Sequence, residues 1–366
     1  MGDRVERAIG RVLEHGRFIM GPEVYELEER LAAFCGARHA IGCASGTDAL
    51  LLALMAWQAG PGDAVFVPAF TFAATAAVVA LVGATPIFVD VDPVSYNLDV
   101  VSLQRATAGS AADGGLRRAG VIAVDLFGVP ADYDAIGAVA ADHGMWVLAD
   151  TAQSFGSSLH GAGAGTFGAV SATSFYPTKP LGCYGDGGAI FTDDDDLAAR
   201  MRSLRVHGAG ESAYDHRLIG INGRLDTIQA AVLLQKLDLL PEELAARQRL
   251  AERYSAELAD VVVVPTVGEG RTSAWAQYTV QVERREAVAR RLGEWGVPTA
   301  VHYPKSLHDQ PAYRSFPVAP GGLPVAEALA ERVLSLPIHP YLQAAAQARV
   351  IDALRRAVEE SEPGGG

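Results

Sequence analysis

The stretch Ser174-Phe-Tyr-Pro-Thr-Lys179-Pro-Leu-Gly-Cys-Tyr-Gly-Asp-Gly-Gly-Ala-Ile-Phe-Thr192 is the most informative part of the chain. It leaves one predicted strand, Val170–Phe175, and enters another, Gly188–Thr192. Between them Lys179 stands among apolar, proline and glycine residues. Such surroundings lower the pKa of a lysine and make its free amine nucleophilic. A surface lysine in a loop is the alternative that this segment alone leaves open.

Lysine is scarce in the rest of the chain. Of 30 basic residues only three are lysines, Lys179, Lys236 and Lys305. Lys236 falls in a predicted amphipathic helix, Asp226–Leu239, where a solvated ammonium group is expected. Lys305 follows His302-Tyr303-Pro304, but no motif supports it as a reactive amine. Lys179 is therefore the favoured candidate.

A carboxylate stands at the end of an earlier predicted strand. The strand Trp146–Ala149 is followed by Asp150-Thr-Ala-Gln153-Ser. A buried carboxylate needs a partner. Asp150 is therefore either a helix cap or an acid that faces a cationic ring nitrogen.

A third motif, Ser45-Gly46-Thr47-Asp48, joins a predicted strand, His39–Ala44, to a predicted helix, Thr47–Trp57. Gly46 allows close backbone approach, and the free N–H groups of a helix start suit an anion. An ordinary helix cap is the alternative. An anion cradle, a strand-end aspartate and a lysine, in this order, are together what pyridoxal phosphate requires for its phosphate, ring nitrogen and aldehyde.

The remaining pattern predicts an α/β fold. Short apolar strands alternate with helices from His39 onward, which indicates a mostly parallel sheet covered on both faces. We assign residues 1–240 to this large domain. From residue 241 onward, helices Pro241–Leu258, Ala287–Trp295 and Ala344–Glu360 surround a predicted strand, Ser273–Val282, and residues 241–366 are predicted to form a smaller α+β domain.

Two segments have sequence patterns that are typical of other classes of protein. The uncharged run Ala64–Val89 is as long as a membrane span, but Pro68, Gly83 and Pro86 divide it. It predicts a strand (Val65–Val67), a buried helix (Thr71–Val82) and a strand (Pro86–Val89). The run Gly163–Gly168 fits the spacing GxGxxG, but it precedes a strand instead of following one, so a glycine-rich turn is expected.

Composition excludes further classes. The 366 residues carry a formal net charge of −13, so no broad basic face for nucleic acid is expected. Three cysteines form no even framework and no CxxC pair, and residues 1–15 show no secretory signal, which predicts a reduced, cytoplasmic setting. No membrane anchor and no metal site are expected.

Taken together, these motifs closely resemble the DegT/DnrJ/EryC1/StrS family of sugar aminotransferases, which have the aspartate aminotransferase type of fold (fold type I). The resemblance spans nearly the whole chain. Its motifs are GPEV at 21–24, SGTDAL at 45–50, TFAAT at 71–75, DTAQSFG at 150–156, the stretch 174–192, NGRLDTIQAA at 222–231, AVHYP at 300–304 and LPIHP at 336–340.

The resemblance implies a role for each matching residue. Lys179 is the Schiff-base lysine, Asp150 pairs with the pyridinium nitrogen, and Gln153 binds the ring hydroxyl. The cofactor ring stacks on Phe72. The other implied contacts are with the phosphate (Gly46, Thr47, Ser174), with the phosphate of the partner subunit in a homodimer (Asn222) and with the nucleotide sugar (Arg224, His302, Tyr303).

The resemblance also implies a substrate. The runs KPLGCYGDGGAIFT and PTAVHYP are most similar to aminotransferases that act on UDP-2-acetamido-2-deoxy-3-oxo-glucuronate, with glutamate as the amino donor. A dTDP-3- or 4-ketosugar aminotransferase and an aminocyclitol aminotransferase of natural-product biosynthesis are the alternatives within enzymes. A non-catalytic regulator that binds the cofactor is the alternative of another class.

Overall fold

The computed structural model describes residues 2–109, 115–212 and 214–361. Its strands are β1 (His39–Cys43), β2 (Asp63–Pro68), β3 (Thr85–Val89), β4 (Arg117–Val124), β5 (Trp146–Asp150), β6 (Ser158–Leu159), β7 (Ala162–Gly163), β8 (Val170–Ser174), β9 (Gly188–Thr192), β10 (Tyr278–Gln281) and β11 (Val333–Leu336). Its α-helices are α1 (Gly2–His15), α2 (Pro22–Cys35), α3 (Gly46–Ala56), α4 (Ala74–Leu81), α5 (Val100–Ala108), α6 (Tyr133–Asp142), α7 (Asp195–Leu204), α8 (Thr227–Leu237), α9 (Leu240–Leu258), α10 (Arg285–Glu294), α11 (Pro324–Arg332) and α12 (Ala344–Ser361).

A seven-stranded sheet in the order β1-β9-β8-β5-β4-β2-β3 forms the centre of the molecule. Every neighbouring pair is parallel except the two that involve β9, which runs antiparallel to both β1 and β8. The carboxyl ends of all strands but β9 therefore meet at one edge. This is the edge at which open α/β sheets bind ligands.

Helices cover both faces of this sheet, as the alternating strand–helix pattern predicts. Along β2, Val65 and Val67 pack with α3 and α4, whereas Ala64 and Phe66 pack with α5 and α6. Successive side chains of a strand point to opposite faces, so a strand buried on both sides is apolar throughout. The uncharged run 64–89 consequently forms β2, α4 and β3, as predicted, although α4 begins at Ala74, three residues later than expected.

The run Gly163–Gly168 forms a turn between β7 and β8, which confirms the glycine-rich turn. Gly165 and Gly168 have positive φ angles of 124° and 65°. A Cβ on Gly168 would lie 2.5 Å from the carbonyl oxygen of Val147. Both positions need glycine for local conformation.

Strands β10 and β11 form a separate antiparallel pair, which packs with α9, α10 and α12 in its own apolar core. The predicted strand Ser273–Val282 is too long, because only Tyr278–Gln281 is a strand. The preceding segment bonds elsewhere: the N–H of Ala274 donates to the carbonyl of Gly128, and Trp275 has a φ of 46°. The domain boundary at residues 240 and 241 stays a prediction.

Within the described ranges, none of the helices combines the length and apolar character needed to cross a membrane.

Candidate active site

Asp150 is the last residue of β5, and its carboxylate is buried at the carboxyl edge of the sheet. Oδ1 accepts a hydrogen bond from the N–H of Ala152 at 3.2 Å, and Oδ2 accepts one from Oγ1 of Thr75 at 3.3 Å. Burial raises the pKa of this carboxyl, and these donors and the charge of Lys179 offset the rise in part. Two long bonds from neutral donors leave the anion able to accept a further, charged donor.

Lys179 lies in the turn that follows β8, and it is half-buried. Burial lowers the pKa of its ammonium group, and the nearby charge of Asp150 opposes this shift. The sequence analysis predicted both the setting and the direction of the pKa shift. A lowered pKa increases the fraction of free amine, the form that attacks a carbonyl and accepts a proton.

The start of α3 forms a cradle against the end of β8. Ser45 caps the helix by accepting the N–H of Asp48 at 3.0 Å. The N–H groups of Gly46 and Thr47, in the first helical turn, have no acceptor within the helix. A Cβ on Gly46 would lie 2.6 Å from the Cβ of Ser174, so only glycine fits between the helix and the strand. Gly46, Thr47 and Ser174 thus lie together and can bind an anion.

Gln153 is buried beside Asp150, and both ends of its amide face a partner. Oε1 accepts the backbone N–H of Phe127 at 2.8 Å, and Nε2 donates to the hydroxyl of Tyr303 at 3.4 Å. Tyr303 therefore lies at this pocket. Burial and the negative charge of Asp150 raise the pKa of its phenol.

Phe72 and His302 border the same pocket. The Phe72 ring follows β2, is 57% exposed and lies 6.2 Å from the ring of Tyr303, centroid to centroid. Nδ1 of His302 lies 3.1 Å from Oγ of Ser335. Burial and the charge of Lys179 lower the pKa of His302. The exposed Phe72 face is available to a flat ring.

Asn222 and Arg224 lie in a different position, beside the end of β1. Gly223 accepts the N–H of Ala44 at 3.0 Å, and Arg224 pairs with Cys43 through a single antiparallel bridge. Asn222 is exposed, whereas Nε of Arg224 is buried without a hydrogen-bond partner. In the described part of the chain, neither side chain is hydrogen-bonded to another candidate residue.

The other two lysines do not join the site. Nζ of Lys236 donates to the carbonyl of Gly182 and lies 5.8 Å from the centroid of the Tyr184 ring. Lys305 is exposed. Among residues 2–109, 115–212 and 214–361, no group of three or more histidine, cysteine, aspartate or glutamate side chains could hold a metal ion.

Sequence reasoning missed three residues that shape the pocket: Thr75, Asp125 and Phe127. Thr75 belongs to the TFAAT motif, and its second threonine was the available signal. Asp125 is fully buried just after β4, and Phe127 donates the hydrogen bond to Gln153. A charged residue directly after a buried strand, as at Asp150, was the signal for Asp125.

This pocket fits pyridoxal phosphate on three observations. The cradle leaves no room for a Cβ at Gly46, the buried carboxylate of Asp150 lacks a charged hydrogen-bond donor, and the amine of Lys179 lies near that carboxylate. Phosphate, ring nitrogen and aldehyde would each meet the group that its chemistry requires. Fold and site thus define a pyridoxal-phosphate-dependent enzyme.

The chain belongs to the DegT/DnrJ/EryC1/StrS aminotransferase family, which it matches over residues 1–355. It is 48% identical over 344 residues to UDP-2-acetamido-2-deoxy-3-oxo-D-glucuronate aminotransferase from Pseudomonas aeruginosa, covering 94% of this chain and 93% of that protein. It is 40% identical over 356 residues to dTDP-3-amino-3,4,6-trideoxy-alpha-D-glucose transaminase from Streptomyces venezuelae, covering 97% and 92% of the two chains.

A crystal structure of a DegT DnrJ EryC1 StrS aminotransferase from Brucella abortus superposes with a TM-score of 0.96. It has 53% sequence identity and covers 97% of this chain and 95% of its own. These similarities confirm the predicted fold class, the cofactor and the enzyme class. The protein is a pyridoxal-phosphate-dependent sugar aminotransferase.

Proposed function

We propose that this aminotransferase moves an amino group from glutamate to the keto carbon of a UDP-linked 3-keto-N-acetylglucosaminuronate. The Pseudomonas relative, at 48% identity over nearly the whole chain, supports this substrate. The observation that carries the chemistry is the buried carboxylate of Asp150 beside Lys179, whose pKa is lowered by burial. A free amine and a fixed anion are the two groups that transamination requires.

Lys179 is the proton carrier in this proposal. In the first half-reaction its free amine would move the proton of the donor's α carbon to the aldehyde-derived carbon of the cofactor. In the second it would move a proton from that carbon to the sugar carbon that receives nitrogen. Burial lowers the pKa of the lysine and so favours the neutral amine, which is the form that acts as a base. Between turnovers the same amine would hold the cofactor through its aldehyde.

Asp150 and Gln153 hold the ring in this proposal. Bound pyridoxal phosphate supplies an electron sink for the carbanion that forms when the α carbon loses its proton. Asp150 would keep the ring nitrogen protonated, and Gln153 would donate from Nε2 to the ring hydroxyl. The aromatic face of Phe72 would cover the ring. Gly46, Thr47 and Ser174 would bind the phosphate at the helix start.

The other candidate residues would recognise the substrate and the second subunit. His302 and Tyr303, which border the pocket, would contact the nucleotide sugar. The exposed Asn222 would bind the cofactor phosphate of the partner in a homodimer, and Arg224 would bind an anionic group of the substrate through its guanidinium fork. A cytoplasmic location is part of this proposal, supported by three buried cysteines without disulfides.

A substrate panel tests the proposal. The holoenzyme is first treated with glutamate, which converts its cofactor to the aminated form. Separate samples are then mixed with UDP-linked 3-keto-N-acetylglucosaminuronate, with its 6-hydroxyl analogue that lacks the carboxylate, and with dTDP-linked 3- and 4-ketosugars. We expect every accepted substrate to restore the original cofactor absorbance, and we expect the uronate to have the highest kcat/KM of the panel. Lys179→Ala is the inactive control.

The identity with the dTDP-sugar transaminase favours a second candidate, a dTDP-ketosugar aminotransferase. A higher kcat/KM with a dTDP-ketosugar would replace the proposed substrate with this one. If another amino acid changes the absorbance of the bound cofactor and glutamate does not, the proposed amino donor is wrong. The proposed sugar substrate is unaffected by that result.

A further inference from the structure

Asp125 is a buried carboxylate that the reaction does not use directly. It follows β4 and is 0% exposed. Oδ1 accepts the N–H of Ala131 at 2.8 Å and the hydroxyl of Tyr133 at 2.7 Å, and Oδ2 accepts the hydroxyl of Ser154 at 2.5 Å. Its own N–H donates to the carbonyl of Asp150 at 3.1 Å.

These bonds join two segments that flank the cofactor pocket. One is the loop 125–131, which Asp125 closes through Ala131. The other is the turn 151–154, which carries Gln153 and is held through Ser154. Because the carboxylate binds both segments, it fixes their distance from each other.

That distance sets the orientation of the Gln153 amide. The backbone N–H of Phe127, in the loop, can only donate, so the amide atom that it meets at 2.8 Å must be the oxygen. The Nε2 end is then turned toward Tyr303 and the pocket. Phe127 has a φ of 61°, in the left-handed region, which is unfavourable for a phenylalanine unless neighbouring contacts hold it.

We propose that Asp125 is a positioning residue, which holds the loop 125–131 against the turn 151–154 so that Gln153 presents an N–H donor to the ring hydroxyl of the cofactor. The inference rests on the proposed role of Gln153. Without this tie, the amide could rotate and present its oxygen to a ring oxygen, where two acceptors would repel each other. A fully buried carboxylate is costly to retain. Burial raises the pKa of Asp125 to about 7. A role in placing Gln153 would explain why the chain keeps a carboxylate at this position.

Conservative variants test this role. Ser154→Ala removes the bond to the turn. Asp125→Asn keeps the size of the side chain and removes its charge, and its amide N–H can donate to the Ser154 hydroxyl, so the tie is retained. Tyr133→Phe is the matched control, because it removes one bond to the same carboxylate from α6 and leaves the bond to Ser154 in place. Asp125→Ala is avoided because it would leave three buried donors without a partner, which destabilises the fold.

Three readouts distinguish positioning from folding. In Ser154→Ala we expect kcat to fall about tenfold with both KM values within about twofold, and in Asp125→Asn, which can keep the tie, we expect a smaller fall in kcat. We also expect the pH midpoint of the bound-cofactor absorbance to rise, because a donor that stabilises negative charge on the ring oxygen is lost. The dissociation constant for pyridoxal phosphate added to the apoprotein should increase. Tyr133→Phe should stay close to the wild type in all three.

A double-mutant cycle with Gln153→Ala decides whether Asp125 acts through Gln153. In the Gln153→Ala background, Ser154→Ala should add almost no further change in kcat or in the absorbance midpoint. Additive effects, or wild-type values in a folded Ser154→Ala variant, would overturn the inference. If Gln153→Ala itself behaves as wild type, the proposed role of Gln153 fails instead.

Discussion

The hydroxyl of Thr75 donates a hydrogen bond to Oδ2 of Asp150 across 3.3 Å, between the start of α4 and the end of β5. Thr75 is fully buried. With the N–H of Ala152 on the other oxygen, it orients the carboxylate without neutralising it. The negative charge therefore remains available to a cationic ring nitrogen, which is the property that the first prediction tests.

Replacing Asp150 by asparagine should slow transamination by about three or more orders of magnitude, because a neutral amide does not keep the ring nitrogen protonated and the electron sink weakens. Stopped-flow absorbance with glutamate measures the first half-reaction directly. The variant should still bind the cofactor phosphate. Turnover close to that of the wild type would refute the role of Asp150.

Thr75→Ala makes a smaller change at the same carboxylate. It removes one neutral hydrogen bond and leaves the charge, so we expect a loss of only about tenfold in kcat. A loss as large as that of Asp150→Asn would mean that orientation, and not charge, dominates.

Lys179 should carry the cofactor. Borohydride reduction of the holoenzyme followed by peptide mapping should place the label on Lys179, because its lowered pKa favours the reactive free amine. Lys179→Ala should show no turnover. Label on Lys236 or Lys305 would contradict the assignment, and these are the only other lysines of the chain.

The sequence predicted the parts of the site that follow strands. Asp150, Ser174 and Lys179 come at or soon after apolar runs, and parallel strands bring such positions to one edge. The tie between Asp125 and Ser154 was not predictable, since the two residues are 29 positions apart and meet only through the packing of the loop 125–131 against the turn 151–154. In the same way, the bond of Ala274 to Gly128 ends the predicted strand Ser273–Val282 through a contact with a distant segment.

Asp125 should make stability depend on pH. Burial raises the pKa of this carboxyl from its ordinary 3.8 to about 7, and the charge of Asp150 adds to the rise against three hydrogen bonds that oppose it. The folded protein therefore retains this proton between about pH 4 and 7 while the unfolded chain releases it. This contribution to stability is fully present below about pH 4 and is lost as the pH rises through 7, by an amount on the order of a few kcal/mol.

Melting temperatures of the wild type and Asp125→Asn, measured from pH 5 to 8, check this prediction. Asparagine does not titrate, so the wild type should lose stability relative to the variant as the pH rises and should level off above about pH 8. Comparison within the pair cancels the titration of other groups. Parallel curves would show that Asp125 titrates normally or that its charge is fully compensated.

Arg224 should act across the interface of the proposed homodimer. It lies beside the end of β1, and its Nε is buried without a hydrogen-bond partner. Lys179→Ala and Arg224→Ala should each be nearly inactive alone. If each site takes Lys179 from one subunit and Arg224 from the other, a mixed dimer contains one intact site.

Random exchange of the two variants in equal amounts should then restore up to about a quarter of the wild-type activity per subunit, because half of the dimers are mixed and each has one of two sites intact. Subunit exchange is confirmed separately with differently tagged chains, and Lys179→Ala mixed with Asp150→Asn is the control that should not be rescued, since those two residues belong to one chain's site. Exchange without rescue in the Arg224 mixture would place Arg224 in the same site as its own Lys179. Because Arg224 pairs with Cys43 just ahead of the cradle at Gly46, that outcome would assign its guanidinium to the anion site of its own chain.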